Sequence, residues 1–173
     1  MLRNIIAAAL LAAPALALAA PPATLAVTET VDIKASPDAV WTAAKDFDSL
    51  NQWHPGFSGD ELVKGKNNVP GAVRKLTVKD GPSFTEELLK FSEKAHSYTY
   101  RIIESPLPIT AYKSTLTVKA GKDGMTTVTW TGHFKRKNAA AAPPEGETDE
   151  AATKLVTGVY QGGLAGLKKK VEG

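Results

Sequence analysis

A long amphipathic segment near the end of the chain, Thr148 to Val171, limits the possible folds more than any other stretch. At about 100° per residue it puts Ala152, Leu155, Val156, Val159, Tyr160, Gly163 and Leu167 on one face and Lys154, Gln161 and Lys168 on the other, the pattern of an α-helix with one buried side. Thr148 is an N-cap followed by acidic Asp149 and Glu150, while Lys168, Lys169 and Lys170 complement the negative end of the dipole. Gly158, Gly162, Gly163 and Gly166 lie inside this helix, each at a cost of roughly 1 kcal/mol relative to Ala. Either close approach to a sheet or open space kept beside the helix for a ligand offsets that cost; otherwise the helix is merely weak and frayed.

What precedes the helix reads mostly in period two. Leu25 to Ile33 is a first strand, and Ser36-Pro37-Asp38 starts a short helix that carries Val40 and Trp41 inward and breaks near Asp46 to Asp48. A further helical turn, Leu50 to Trp53, stops at Pro55-Gly56. Strands follow at Gly59–Val63, Ala72–Lys79, Phe84–Phe91, Tyr98–Glu104, Ala111–Lys119 and Thr126–Lys135. Their connections are short, so they are expected to pair as consecutive antiparallel neighbours, and the Asn138 to Thr148 linker releases the chain into the last helix. The class is α+β: a curved antiparallel sheet of about seven strands wrapped around a long C-terminal helix, with two short helices after the first strand.

Residues 1–19 read as a secretory signal, with Arg3 in the head, an apolar run from Ile5 to Leu18, and small Ala17 and Ala19. The run is shorter than the roughly 20 residues a bilayer crossing needs. The expected mature chain, 20–173, is one domain. With no cysteine there is no disulfide framework, which suits a bacterial envelope protein stable without staples. Net charge is only +3 and the basic residues are scattered, so nucleic acid is not the expected partner.

Strand parity sorts the side chains. Tyr112, Ser114, Leu116 and Val118 share one face, as do Val128, Trp130, Gly132 and Phe134, and Tyr98, Tyr100 and Ile102. For Phe84 to Phe91 the inward row is Phe84, Glu86 and Leu88, since Lys90 can end it at the rim. That row buries a carboxylate, which must be paired, hydrated or protonated. With a three-residue loop of Asp80, Gly81 and Pro82, position 76 faces 86 and Arg74 lies diagonal to Glu86. The two form an ion pair at a pocket wall, or a surface pair worth under about 1 kcal/mol.

The histidines divide: His96 in a turn and His133 on the outer parity are expected in solvent, whereas His54, in Trp53-His54-Pro55, stands at one mouth of the sheet as a ligand contact or as a helix end packed on Trp53. No metal-ligand spacing, serine elbow or phosphate loop is present, and Ser114 beside Tyr112 has no histidine on a matching face. The aromatic set Trp53, Tyr98, Tyr100, Tyr112, Trp130 and Tyr160 is either core or the lining of a pocket in which phenol hydroxyls orient a largely apolar ligand.

The order of elements, Ser36-Pro37-Asp38-Ala39-Val40-Trp41, the Phe84-Thr85-Glu86-Glu87-Leu88-Leu89 strand and Tyr112-Lys113-Ser114 resemble the START-like helix-grip superfamily, also called SRPBCC or polyketide cyclase/dehydrase and lipid-transport proteins. Trp53-His54-Pro55, Gly71-Ala72-Val73-Arg74, Tyr98-Thr99-Tyr100-Arg101, Pro106-Leu107-Pro108 and Val156-Thr157-Gly158-Val159-Tyr160 are similar to periplasmic MxaD-type proteins encoded with methanol-oxidation systems. The resemblance implies a central cavity, with Glu86 and Tyr112 matching the carboxylate and tyrosine of ligand-binding members and loops 65–71 and 105–109 closing it. It also implies an accessory role near a periplasmic quinoprotein alcohol dehydrogenase and its cytochrome c acceptor. The reading is a periplasmic binding module without cofactor or metal, holding a small hydrophobic or amphipathic ligand at Trp53, His54, Arg74, Glu86, Tyr100, Tyr112, Ser114, Trp130 and Tyr160. Its rivals are a cyclase or aromatase-type enzyme using Glu86 as general acid or base with Tyr112 orienting the substrate, and a ligand-free docking protein.

Overall fold

The computed structural model describes residues 21–173, and the expected signal at 1–19 lies outside the described residues. β1 (Leu25–Ile33) leads into α1 (Pro37–Ala44), which begins where Ser36 takes an extended conformation and accepts from the Ala39 amide at 3.3 Å. Pro37 holds the first helical position, where its missing N–H costs nothing. The expected second helix is a single 3-10 turn, Leu50–Gln52. Then come β2 (Phe57–Lys64), β3 (Val73–Val78), β4 (Ser83–Ser92), β5 (Ser97–Glu104), β6 (Ile109–Ala120) and β7 (Thr126–Arg136), and finally α2 (Asp149–Glu172), capped by the Thr148 side chain.

The strands form one seven-stranded antiparallel sheet in the order β1-β7-β6-β5-β4-β3-β2. Short turns make β2 to β7 pair in sequence, while β1 adds to β7 at the far edge, a long-range pairing no local signal announces. α2 packs across β1 and β7 and leaves the β2–β5 half of the curved sheet standing away from it. The β5–β6 ladder is short, running only from Ser97–Thr117 to Arg101–Lys113, beyond which the two strands separate. Trp41, Phe47, Leu88, Tyr98, Leu116 and Trp130 fill the core between sheet and helices. No helix among the described residues is long and apolar enough to cross a membrane.

Three local departures from the sequence reading shape the interior. The β3–β4 register is shifted by two, so Leu76 pairs with Phe84 and Arg74 stands directly opposite Glu86, not diagonal to it. The cause is a turn centred one residue earlier: Lys79 leaves the ladder, Asp80 takes a left-handed φ of 57°, and the turn closes through Val78 N–H to Pro82 C=O at 3.0 Å. A shift of two preserves the faces, which is why the inward residues still match. In β6, Ala111 and Tyr112 together oppose the single residue Phe134; this bulge, with Ala111 at φ 52°, aims both Ile109 and Tyr112 inward. Finally, His96 is not free in solvent: its turn folds back on α1, so the ring stacks on Trp41 at 5.5 Å and comes within 3.5 Å of Asp38. His133 is exposed, as its parity implies.

Candidate functional site

Because α2 lies mainly over β1 and β7, a cavity of about 640 Å³ remains between its flank and the β2–β5 half of the sheet. That size falls within the roughly 300–1,000 Å³ of small-molecule sites. The glycines of α2 divide into two groups around it. Gly158 and Gly162 border the cavity, and a Cβ built on either meets nothing within 4 Å. Gly163 and Gly166 permit contact instead: a Cβ on Gly163 would lie 2.5 Å from His54 Cδ2 and 2.6 Å from Trp130 Cζ3, and one on Gly166 would run into the Trp53 carbonyl oxygen. The close approach is thus mainly to the 53–55 connection rather than to the sheet, and the open space lies beside Gly158 and Gly162.

A buried charge cluster backs the inner wall. Arg74, 1% exposed, donates to Glu86 Oε2 from Nε at 2.9 Å and from Nη2 at 2.7 Å, and its Nη1 reaches the Phe47 carbonyl at 2.6 Å and Asp60 Oδ2 at 3.4 Å. Its guanidinium lies over the Phe47 ring at 4.2 Å. Asp60 Oδ2 also accepts from the Leu50 amide at 2.8 Å, so the pair Arg74 and Asp60 ties the 47–50 segment to the sheet and thereby places His54. Asp60 Oδ1 is buried with no partner among the described residues. Burial pushes the Glu86 carboxyl up to about 6, with the Arg74 guanidinium restraining the rise; burial raises Asp60 as well. Glu86 is 3% exposed and faces the cavity, and its Oε1 has no hydrogen-bond partner among the described residues.

The hydroxyls form a chain whose proton order follows from its end. Ser114 Oγ–H can only donate to the Thr131 carbonyl, at 3.0 Å. The Tyr160 hydroxyl must then donate to Ser114 at 2.8 Å, and Tyr112 to Tyr160 at 2.8 Å. Tyr100, which accepts from Trp130 Nε1 at 3.0 Å, points its proton toward Tyr112 across 3.4 Å. Burial holds all of these phenols above their ordinary titration range. Gly132 makes the chain possible, because any Cβ there would occupy the place of the Tyr160 hydroxyl.

His54 is likewise fully committed. Nδ1 accepts from the Gly56 amide at 3.0 Å, so Nε2 carries the proton and donates to the Val159 carbonyl of α2 at 2.8 Å. The absent side chain of Gly163 is what lets the ring reach that carbonyl. Burial lowers its pKa, consistent with the neutral form these bonds require.

The structure brings His54, Glu86, Tyr100, Tyr112, Trp130 and Tyr160 to the cavity wall. Three other expected site residues do not line it. Trp53 faces away because the chain reverses at His54-Pro55, and its ring packs on Trp130 at 5.7 Å. Arg74 is spent behind Glu86, and Ser114 lies behind Tyr160. Of the expected closing loops, 105–109 contributes Leu107 and Ile109, whereas 65–71 is elsewhere, its Asn67 and Asn68 accepting from the Phe47 amide. Sequence reasoning missed Asp60, whose strand carried a weak pattern. It also missed Phe57, which starts β2 two residues before the expected strand and lines the cavity.

A curved sheet gripping one helix over an apolar cavity with a single carboxylate at its inner wall defines a helix-grip α+β protein. Residues 24–172 match the family described as polyketide cyclase/dehydrase and lipid transport, and the chain belongs to that family. Among solved structures it is similar to XoxI of Bacillus cereus, with 33% identity and a TM-score of 0.74 over 84% of this chain and 94% of that one. A protein of Bacillus thuringiensis also matches with 33% identity and a TM-score of 0.74, over 86% of this chain and 100% of that one. One from Thermobifida fusca matches at 28% and 0.70, over 84% and 92%.

Proposed function

We propose that the chain is an exported, single-domain binding protein that holds a small hydrophobic or amphipathic molecule in the cavity beside α2. The observation that carries this reading is the open flank of α2: two helix positions are glycine with nothing opposite them, at a cost of roughly 1 kcal/mol each, and the space so kept is apolar. His54, Glu86, Tyr100, Tyr112, Trp130 and Tyr160 are the ligand-facing side chains in this reading. The residues similar to MxaD-type proteins support a periplasmic accessory role beside a quinoprotein methanol dehydrogenase and its cytochrome c acceptor. Mass spectrometry under native conditions of the protein taken from its own periplasm tests the core of the proposal. It is expected to show an added small-molecule mass that organic extraction removes; a cavity found empty, with no uptake of added apolar probes, refutes it.

One observation favours a second reading, a cyclase-type enzyme. Glu86 is poised near 6 with Oε1 free toward the cavity, the condition for a general acid or base close to neutral pH. Glu86→Gln separates the two: it abolishes turnover if Glu86 moves a proton and only changes affinity if the protein is a carrier. An unchanged protein in both respects, still bound by its redox partner, would leave the docking reading.

A further inference from the structure

Resting on the binding reading above, we propose that the molecule held in the cavity enters with a hydrogen-bond donor, an alcohol or an ammonium group, at its buried end, and that molecules ending in a carbonyl or carboxylate are refused. The argument is an accounting of protons at the inner wall. The indole N–H of Trp130 goes to Tyr100, the Tyr112 proton to Tyr160, the Tyr160 proton to Ser114 and the His54 proton to Val159. Each is committed at 3.0 Å or less, and the sequence of donations cannot be reversed while Ser114 donates to Thr131. What remains without a partner is the acceptor Glu86 Oε1; the one loosely held donor is the Tyr100 proton, which reaches Tyr112 only across a long 3.4 Å.

Charge points the same way. Arg74 is one cation against two carboxylates, Glu86 and Asp60, all with side chains at most 4% exposed, so with both carboxylates ionised the cluster behind the wall is one negative charge in excess. Lys154, the cation among the lining residues, is solvent-exposed and leaves the inner end unbalanced. A donor placed on Glu86 Oε1 completes the carboxylate and is strengthened by its charge. An acceptor placed there meets a lone pair and a negative field, and finding a donor would require taking the Tyr100 proton from the chain.

The test uses the purified, delipidated chain at pH 8 with Trp41 and Trp53 replaced by Phe, so that the tryptophan fluorescence is that of Trp130 at the cavity wall, titrated with 1-nonanol, nonylamine, 2-nonanone and nonanoate. Nonanol and nonylamine are expected to bind roughly tenfold or more tightly than nonanone, as a charge-assisted hydrogen bond gained against none implies, with nonanoate weakest. Glu86→Gln, whose amide can donate, is expected to erase the preference for the ammonium and improve nonanone; the wild-type series decides by itself if that variant does not fold. Nonanone or nonanoate binding as tightly as nonanol would overturn the inference while leaving the binding reading intact. Failure of all four to bind would overturn both.

Discussion

Replacing the four helix glycines one at a time by alanine separates the two reasons for their presence, because the expected signs differ. At Gly158 and Gly162 a Cβ meets nothing within 4 Å, so only the helix propensity changes, and each variant should be about 0.5–1 kcal/mol more stable than wild type. At Gly163 the same propensity gain is opposed by overlap with two buried rings, 2.5 Å from His54 Cδ2 and 2.6 Å from Trp130 Cζ3. Overpacking of that kind costs about 1–3 kcal/mol, and relief by moving His54 breaks its bond to Val159, so the net effect is a loss. At Gly166 the obstacle is the Trp53 carbonyl together with the Pro55 ring, neither able to swing aside, and the loss should be the largest of the four. Urea unfolding reads all four directly: with a slope of about 1–3 kcal/mol per molar, the stabilised pair should shift the midpoint upward by a few tenths of a molar or more, and the other pair downward. Gly162→Leu extends the test, keeping the helix gain while filling the cavity, and should lose probe binding without losing stability. A stabilised Gly163→Ala, or a destabilised Gly162→Ala, would refute the division of the glycines and with it the claim that the helix flank is kept open.

Two further outcomes follow from the charge cluster and from His54. Arg74→Met leaves Glu86 and Asp60 buried without their cation and should cost about 3–5 kcal/mol by urea unfolding, part of which returns when Glu86→Gln and Asp60→Asn are added; a loss under about 1 kcal/mol would mean that water reaches the cluster. For pH, the signs oppose. Glu86, faced by Arg74 on β3, Asp60 on β2 and Tyr100 on β5, binds its proton more tightly folded, at about 6, than at its ordinary 4.5. Its contribution is therefore whole below the lower value and lost as pH rises through the higher, roughly 2 kcal/mol in all, and Glu86→Gln should abolish that slope. His54, lowered by burial, contributes above the ordinary histidine range and loses that contribution as pH falls, so His54→Gln should flatten the acid side. Unfolding midpoints measured across pH 4 to 8 check both, and a variant whose pH profile parallels wild type would contradict the corresponding assignment.

Much of the site was readable from local pattern. Period-two alternation placed Tyr100, Tyr112, Trp130 and Glu86 on inner faces, and Lys90 correctly marked the end of the inward row in β4, where a bulge at Leu89 then turns Phe91 inward as well. What stayed hidden depends on distant partners. Asp60 is a lone acid in a strand of weak pattern, and only the arrival of Arg74 from β3 and the Leu50 amide makes it part of a cluster. The bulge at Ala111 leaves no mark in residue type, since alanine does not advertise a left-handed φ. Helical spacing separates the glycines only in part: Gly163 lies in line with Tyr160 and Leu167, but Gly158, Gly162 and Gly166 share one row, and only the arrival of the Trp53 carbonyl makes Gly166 a contact position. Arg74 and Ser114 do not reach the wall because parity tells which side of the sheet a residue faces but not how deep behind a neighbour it ends; Trp53, in a helical turn, had no parity to place it.

The brevity of the β5–β6 ladder has a mechanical consequence. Two plates, β1-β7-β6 carrying the helix and β5-β4-β3-β2 carrying the acid, are stitched together only from Ser97–Thr117 to Arg101–Lys113, and the cavity lies where the stitching stops, between Ile102 and Tyr112. Rotation of one plate about that seam would widen or narrow the gap. Such a hinge would let the cavity change girth with no strand peeled from its neighbour.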